Sequence, residues 1–228
     1  FNRADDRILR GIMQLLQNFA LTSWHLPPKW QIVATANPEG GDYSVTPLDD
    51  AMLTRMIHAT LKFDAKDWAI WADSAGLDKR GISFVLTHPE AVTFKRTTPR
   101  TLEQFFRQIE NIEDLQKEEE LVRMLGMGTL DDVTIAAFMS FVRDDLTELI
   151  EPEEILSTEN FSKIEEKIEK LSVDKDGNKR IDRISTICTR LFILIIKQAF
   201  APGTRESSNL ITFLKSNKIN KELRYSMA

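Results

Sequence analysis

The sequence predicts an α/β segment of few strands followed by an all-α remainder, and so a protein that is mostly helical. Three observations carry this. Trp30–Thr35, "WQIVAT", is a β-type run closed by Asn37-Pro38 and Gly40-Gly41. His58–Phe63, "HATLKF", is a second strand candidate. From Asp64 onward, stretches with apolar residues at helical spacing follow one another, with cap residues at their starts.

The elements can be read in order. Asp5–Asn18 places Ile8, Ile12, Leu15 and Leu16 on one helical face. Pro27 and Pro28 end any helix there, and Leu21–Trp24 suits a short hairpin strand. Trp30–Thr35 reads as a buried central strand, residues 48–57 as a helix, and His58–Phe63 as the next strand. "DAKDWAIWADSAG" opens on an acidic cap, Asp64, and closes on Gly76. In "TTPRTLEQFFRQIENI", Thr98 is the expected N-cap and Pro99 the first helical residue, with Leu102, Phe105, Phe106 and Ile109 as the apolar stripe. "LDDVTIAAFMSFVRDDLTELI" is another amphipathic helix, and Glu151–Thr158 a polar joint carrying Pro152. Helices follow over Phe161–Leu171 and roughly Asp182–Phe200, before "APGTRESS" leads to a last short segment.

Composition narrows the function. With 228 residues, of which 42% are hydrophobic and 29% charged, the chain is an ordinary folded protein of one or two domains. A net charge of −5 argues against general nucleic-acid binding, which needs a surplus of Lys and Arg. The single cysteine, Cys188, excludes an internal disulfide and suits a reducing cytoplasm; within "STICTRLFILII" it reads as a buried small hydrophobe. The longest apolar run, Leu191–Ile196, is far shorter than a spanning helix requires. "FNRADDRILRG" has neither an initiator Met nor the form of a signal peptide, and suggests part of a longer product.

Chemistry concentrates on three positions. Asn37 follows the apolar run, at what would be the carboxyl edge of a parallel sheet, where ligands bind. Its amide can donate and accept, and so can orient a water against a phosphate without becoming the base. Arg55, in "LDDAMLTRMI", is planar, permanently charged and able to bridge phosphate oxygens, including those of a neighbouring subunit's nucleotide. Arg100 begins a later helix just after Pro99, from which a hinged second domain could reach the same phosphates. Singly, each suits a turn residue or a surface arginine; their order carries the reading.

"FNRADDRILRGIMQLLQN", "LPPKWQIVATANP", "LDDAMLTRMI" and "TTPRTLEQFF" resemble, in order, successive segments of MoxR-type AAA+ ATPases. The resemblance covers residues 1 to about 110. It implies a partial AAA+ α/β core over residues 1–64, a helical lid over 65–150 and a helical C-terminal extension over 151–228. It makes Asn37 the sensor 1 residue, Arg55 the arginine finger and Arg100 sensor 2, with Asn2 and Arg3 as the pair that follows Walker B. The implied activity is ATP hydrolysis with Mg²⁺ in a homo-oligomeric ring, hexameric by resemblance. The output would be chaperone-like remodelling of a protein client, and the resemblance points to von Willebrand factor A-domain proteins as such clients.

Two features depart from the family. Thr54 stands where an Asp usually precedes the finger arginine, and Gly40–Val45 is not the usual loop. No G-x-x-x-x-G-K-[ST] phosphate loop and no Walker B strand occur in the chain. Both, with the Mg²⁺ ligands, are expected upstream, and the chain alone is expected to be inactive. Two further readings stay open: a non-catalytic helical adaptor or assembly domain derived from an AAA+ protein, and a clamp-loader-like DNA-remodelling ATPase, which the acidic balance disfavours.

Other signals are weaker. "DKDGNKRID", Asp174–Asp182, imitates a calcium loop, but Lys179 replaces its Gly and Ser185 its bidentate Glu, so a turn between helices is expected. His25, His58 and His88 are too scattered for a metal cluster. Trp68 and Trp71 suit packing into the helical part, and "DLQKEEELVR" a solvated helix face.

Overall fold

Local signals build the first part of the chain. The Asp5 carboxylate accepts from the Arg7 amide at 2.9 Å and starts α1, Asp6–Asn18. Phe19 ends the helix in the left-handed region, at φ 52°. The chain then turns back through an antiparallel hairpin, β1 (Ala20–Leu21) and β2 (Trp24–His25), with Leu21 opposite Trp24. The computed structural model describes residues 1–37, 44–93, 95–144, 149–173, 177–198 and 200–225. These divide into two compact units, Phe1–Lys62 and Phe63–Ala228.

In the first unit the strand expected over Leu21–Trp24 is instead the tip of a hairpin, with Leu21 and Trp24 paired across the turn, and the central strand is absent among the described residues. Trp30–Thr35 lies in no sheet among the described residues, and Val33 is 88% exposed. His58–Phe63 forms no strand either, with Leu61 95% exposed. A strand holds its shape through a neighbour that takes its N–H and C=O groups and a layer that covers its apolar face. The described residues supply no strand and no covering layer to these runs, only single bonds such as those at the Trp30 amide and the Thr35 carbonyl. The helix expected over residues 48–57 shortens to one turn, α2 (Asp50–Leu53), started by the Asp49 carboxylate, which accepts from the Met52 amide at 2.8 Å. The few-stranded α/β part is thus reduced to a two-stranded hairpin, and the described chain is mostly helical.

The second unit follows the sequence more closely. The Asp64 carboxylate accepts from the Lys66 and Asp67 amides at 2.8 and 3.0 Å and starts α3, Ala65–Ser74. After Gly76, at φ 69°, come α4 (Lys79–Thr87), a 3₁₀ turn (Pro89–Ala91) and α5 (Pro99–Ile109). Next are α6 (Glu119–Thr129) and α7 (Asp132–Asp144). The α5 stripe of Leu102, Phe105, Phe106 and Ile109 is wholly buried, as its spacing predicts. Phe106, Phe105, Phe84 and Phe138 pack ring against ring, with Phe84 and Phe138 edge-to-face at 5.2 Å. Trp68 joins them against Phe106, whereas Trp71 stays partly exposed. Within "DLQKEEELVR", Leu115 and Val122 are buried in this core, so only part of that run is a solvated face.

A second core gathers residues from α8 (Pro152–Ser157), α9 (Phe161–Leu171), α10 (Ile181–Lys197) and α11 (Arg205–Lys215), ahead of the short α12 (Lys221–Tyr225). The expected polar joint at Glu151–Thr158 is instead a helix, because Pro152, Ile155 and Leu156 turn inward while its glutamates face out. α10 serves both cores: Ile187 and Leu191 lie in the second and Ile193 in the first. The Thr87 and Thr186 hydroxyls meet at 3.0 Å where α10 crosses α4. Of the calcium-like run, residues 174–176 lie outside the described set. Val173 and Lys179 bridge across it, and Gly177 takes φ 85°, the geometry of a turn.

Candidate functional site

Asn2 and Asn37, 35 positions apart, are hydrogen-bonded directly. The Asn2 Nδ2 donates to the Asn37 carbonyl at 2.8 Å, and its Oδ1 accepts from the Asn37 amide at 2.9 Å. The side chain thereby presents to Asn37 the donor–acceptor pair that a neighbouring strand would offer. Asn2 is 2% exposed, and the clamp continues on both sides. The Phe1 nitrogen donates to the Thr35 carbonyl at 2.7 Å. Thr46 donates its amide to the Asn2 carbonyl at 2.7 Å and its hydroxyl to the Ala4 carbonyl at 3.0 Å. The Asn37 side-chain amide itself is half-exposed and makes no hydrogen bond to the described residues. Among the described residues, the backbone at Asn37 has partners and its side chain has none.

Arg55 follows the single turn of α2. Its Nη1 donates to the Ala51 carbonyl, and its Nη2 reaches the Gln17 Oε1 on α1 at 3.3 Å. Both contacts are exposed, so the guanidinium is loosely held. Arg3 is exposed beside the clamp.

Arg100, in the second unit, is the second residue of α5. A reciprocal cap starts this helix: the Thr98 hydroxyl accepts from the Thr101 amide at 3.2 Å, and the Thr101 hydroxyl accepts from the Thr98 amide at 2.8 Å. A cation in the first turn stands against the helix dipole. No carboxylate offsets it, because the exposed Arg100 guanidinium has no hydrogen bond or ion pair with the described residues. The group is placed where an anion would be welcome.

The sequence reading missed Asp131, which fixes the run leading into α5. Its carboxylate accepts from the Thr93 hydroxyl at 2.5 Å and from the Thr97 amide at 2.9 Å, and its own amide donates to the Thr97 hydroxyl at 3.0 Å. The Thr97 hydroxyl donates to the Thr134 hydroxyl at 2.9 Å, and Thr134 donates to the Ala91 carbonyl at 3.0 Å. Partial burial works to raise the Asp131 carboxyl, but the hydrogen bonds from Thr93, Thr97 and Arg96 outweigh it and hold it below the usual carboxylate range. An Asp just before a helix signals a cap; that it would reach back 34 residues to Thr97 is not written in any local pattern.

Cys188 is buried, and burial pushes its thiol up to about 12, which leaves it unreactive. Among the described residues no group of three or more His, Cys, Asp or Glu could hold a metal ion, and no helix is long and apolar enough to cross a membrane. The described residues therefore offer no cluster of carboxylates that would fit a Mg²⁺ site. Comparison with protein-family models, curated proteins and solved structures gave no match.

Proposed function

We propose that this chain is the C-terminal part of a MoxR-type AAA+ ATPase, which couples ATP hydrolysis in a homo-oligomeric ring to chaperone-like remodelling of a protein client. The clamp between Asn2 and Asn37 carries the reading. Two residues that the resemblance assigns to one nucleotide site, and that sequence separates widely, meet through both amide atoms of Asn2. Asn2 then acts by positioning, and the Asn37 amide, unbonded among the described residues, is the group that orients a water. Arg100 adds support as a cation without a partner among the described residues, at a helix N-terminus suited to phosphate oxygens. Arg55 would leave its loose contact with Gln17 to act on the next subunit's nucleotide. The phosphate cradle and the Mg²⁺ ligands would come from the rest of the gene product.

ATP turnover by the intact gene product tests this. Arg55→Ala and Asn37→Ala should each lower kcat by about 100-fold or more, the scale on which groups that stabilise phosphoryl transfer act. Because the arginine serves a neighbour, mixed rings of the two variants should regain part of the activity. An intact product that neither binds nor hydrolyses ATP overturns the proposal.

One observation favours the adaptor reading instead: Arg55 already spends both terminal nitrogens within its own unit. Under that reading Arg55→Ala loosens α1 against α2, and nucleotide changes nothing.

A further inference from the structure

A cavity of about 470 Å³ opens beside the second core, between the end of α9, the start of α10 and the turn that joins α11 to α12. Small-molecule sites occupy roughly 300–1,000 Å³, with mainly apolar walls and a few polar groups that orient the ligand. Ile184, buried in the second core, forms part of the wall together with Val173, Ile181 and Leu223. Val173 and Ile181 remain 39% and 56% exposed, although both are apolar. A ligand with a hydrocarbon body would take that surface out of water.

The polar groups of the lining set the other end of the ligand. Two of its cations are already matched. Lys218 pairs with Glu169 at 2.8 Å, and Arg180 holds Asp182 through two bonds, at 3.0 and 2.7 Å. Lys179 is the surplus cation: it is exposed, and its side chain makes no hydrogen bond or ion pair with the described residues. Asn220 accepts from the Leu223 amide through its Oδ1 at 2.8 Å, so what its side chain has left to offer is the Nδ2 donor. An ammonium and an amide NH₂ without acceptors among the described residues call for an acceptor, and a charged one is held best.

We propose that this cavity binds a small amphipathic carboxylate, its chain against Val173, Ile181 and Ile184 and its head group at Lys179 and Asn220. The site lies wholly in the second unit and stands independently of any nucleotide reading of the first.

The test uses the whole chain with labelled isoleucine methyl groups, and three probes that share one hydrocarbon chain: octanoate, octan-1-ol and octylamine. Octanoate should bind saturably and shift the Ile181 and Ile184 resonances while sparing Ile82 and Ile109 of the first core. Octan-1-ol and octylamine should each bind about threefold more weakly or worse, the scale of one exposed charge pair. Lys179→Gln should lower the octanoate affinity by about the same factor and leave octan-1-ol unchanged. Ile181→Ser should weaken both octanoate and octan-1-ol by about tenfold, through lost apolar contact. Both substituted residues are exposed, so the variants should keep the helical circular dichroism of the parent. The proposal fails if octylamine or octan-1-ol binds as tightly as octanoate, or if Lys179→Gln binds octanoate unchanged. It also fails if octanoate does not saturate, or shifts the isoleucines of both cores alike.

Discussion

At the scale of single residues, the side chains that organise this protein are those that complete a neighbour's backbone. Asn2 does so for Asn37, Asp131 for Thr97, and Arg80 for the end of α5, where it donates to the Ile109 and Ile112 carbonyls at 3.1 and 2.6 Å. Asp131 makes the clearest prediction. Asp131→Ala leaves the Thr97 amide and the Thr93 hydroxyl without their acceptor, and should cost about 1–3 kcal/mol in urea unfolding at pH 7. The pH dependence has a definite sign. The folded-state carboxyl lies below its unfolded value, so its contribution is present above the unfolded pKa of about 4 and is lost as pH falls through the folded value. The gap between wild type and Asp131→Ala should therefore narrow on acidification. A gap that stays constant to the acid limit would show that the charge contributes nothing.

At the scale of elements, close approach decides more than propensity. An added Cβ on Gly81 of α4 would lie 2.5 Å from the Phe106 Cγ, at the root of a ring that is fully buried and cannot swing away. Gly81→Ala should destabilise by about 1–3 kcal/mol through overpacking. Gly128→Ala, in open space on α6, should instead stabilise by up to about 1 kcal/mol, since alanine is the better helix former. Thermal unfolding of the two variants separates a packing role from a generic glycine effect. Elements of this kind also mark where the sequence was legible. The start of α5 could be read because Thr98, Pro99 and the buried stripe lie within one helix, and α9 and α10 could be read on the same ground, whereas the stripe read for α1 is not the face it buries: Leu9 is buried and Ile8 exposed. α8 could not be read, because its burial depends on α10 and α11, whose approach is not local. The candidate site divides in the same way. Asn37 and Arg100 were visible from their positions after a strand-like run and after Pro99, but the clamp by Asn2 and the hold of Asp131 span 35 and 34 positions.

At the scale of the whole molecule, the two units differ in how far they satisfy themselves. The second buries two aromatic and aliphatic cores. The first leaves Trp30, Val33, Ile57 and Leu61 exposed outside any helix or strand, and its described strands make only a hairpin. Apolar extended runs without a neighbour are templates for further strands. Under the ATPase reading, those neighbours are strands of the same nucleotide-binding core, and the prediction follows from that. Val33→Lys with Leu61→Lys should leave the unfolding of this chain within about 0.5 kcal/mol of the parent, because neither side chain is buried here. It should also reduce aggregation at high concentration. In the intact gene product the same pair should bury two unpaired ammonium groups, lower the melting temperature by several degrees and reduce ATP turnover. If both forms tolerate the lysines equally, residues 30–37 and 58–63 are surface segments, and Asn37 does not stand at the edge of a completed sheet.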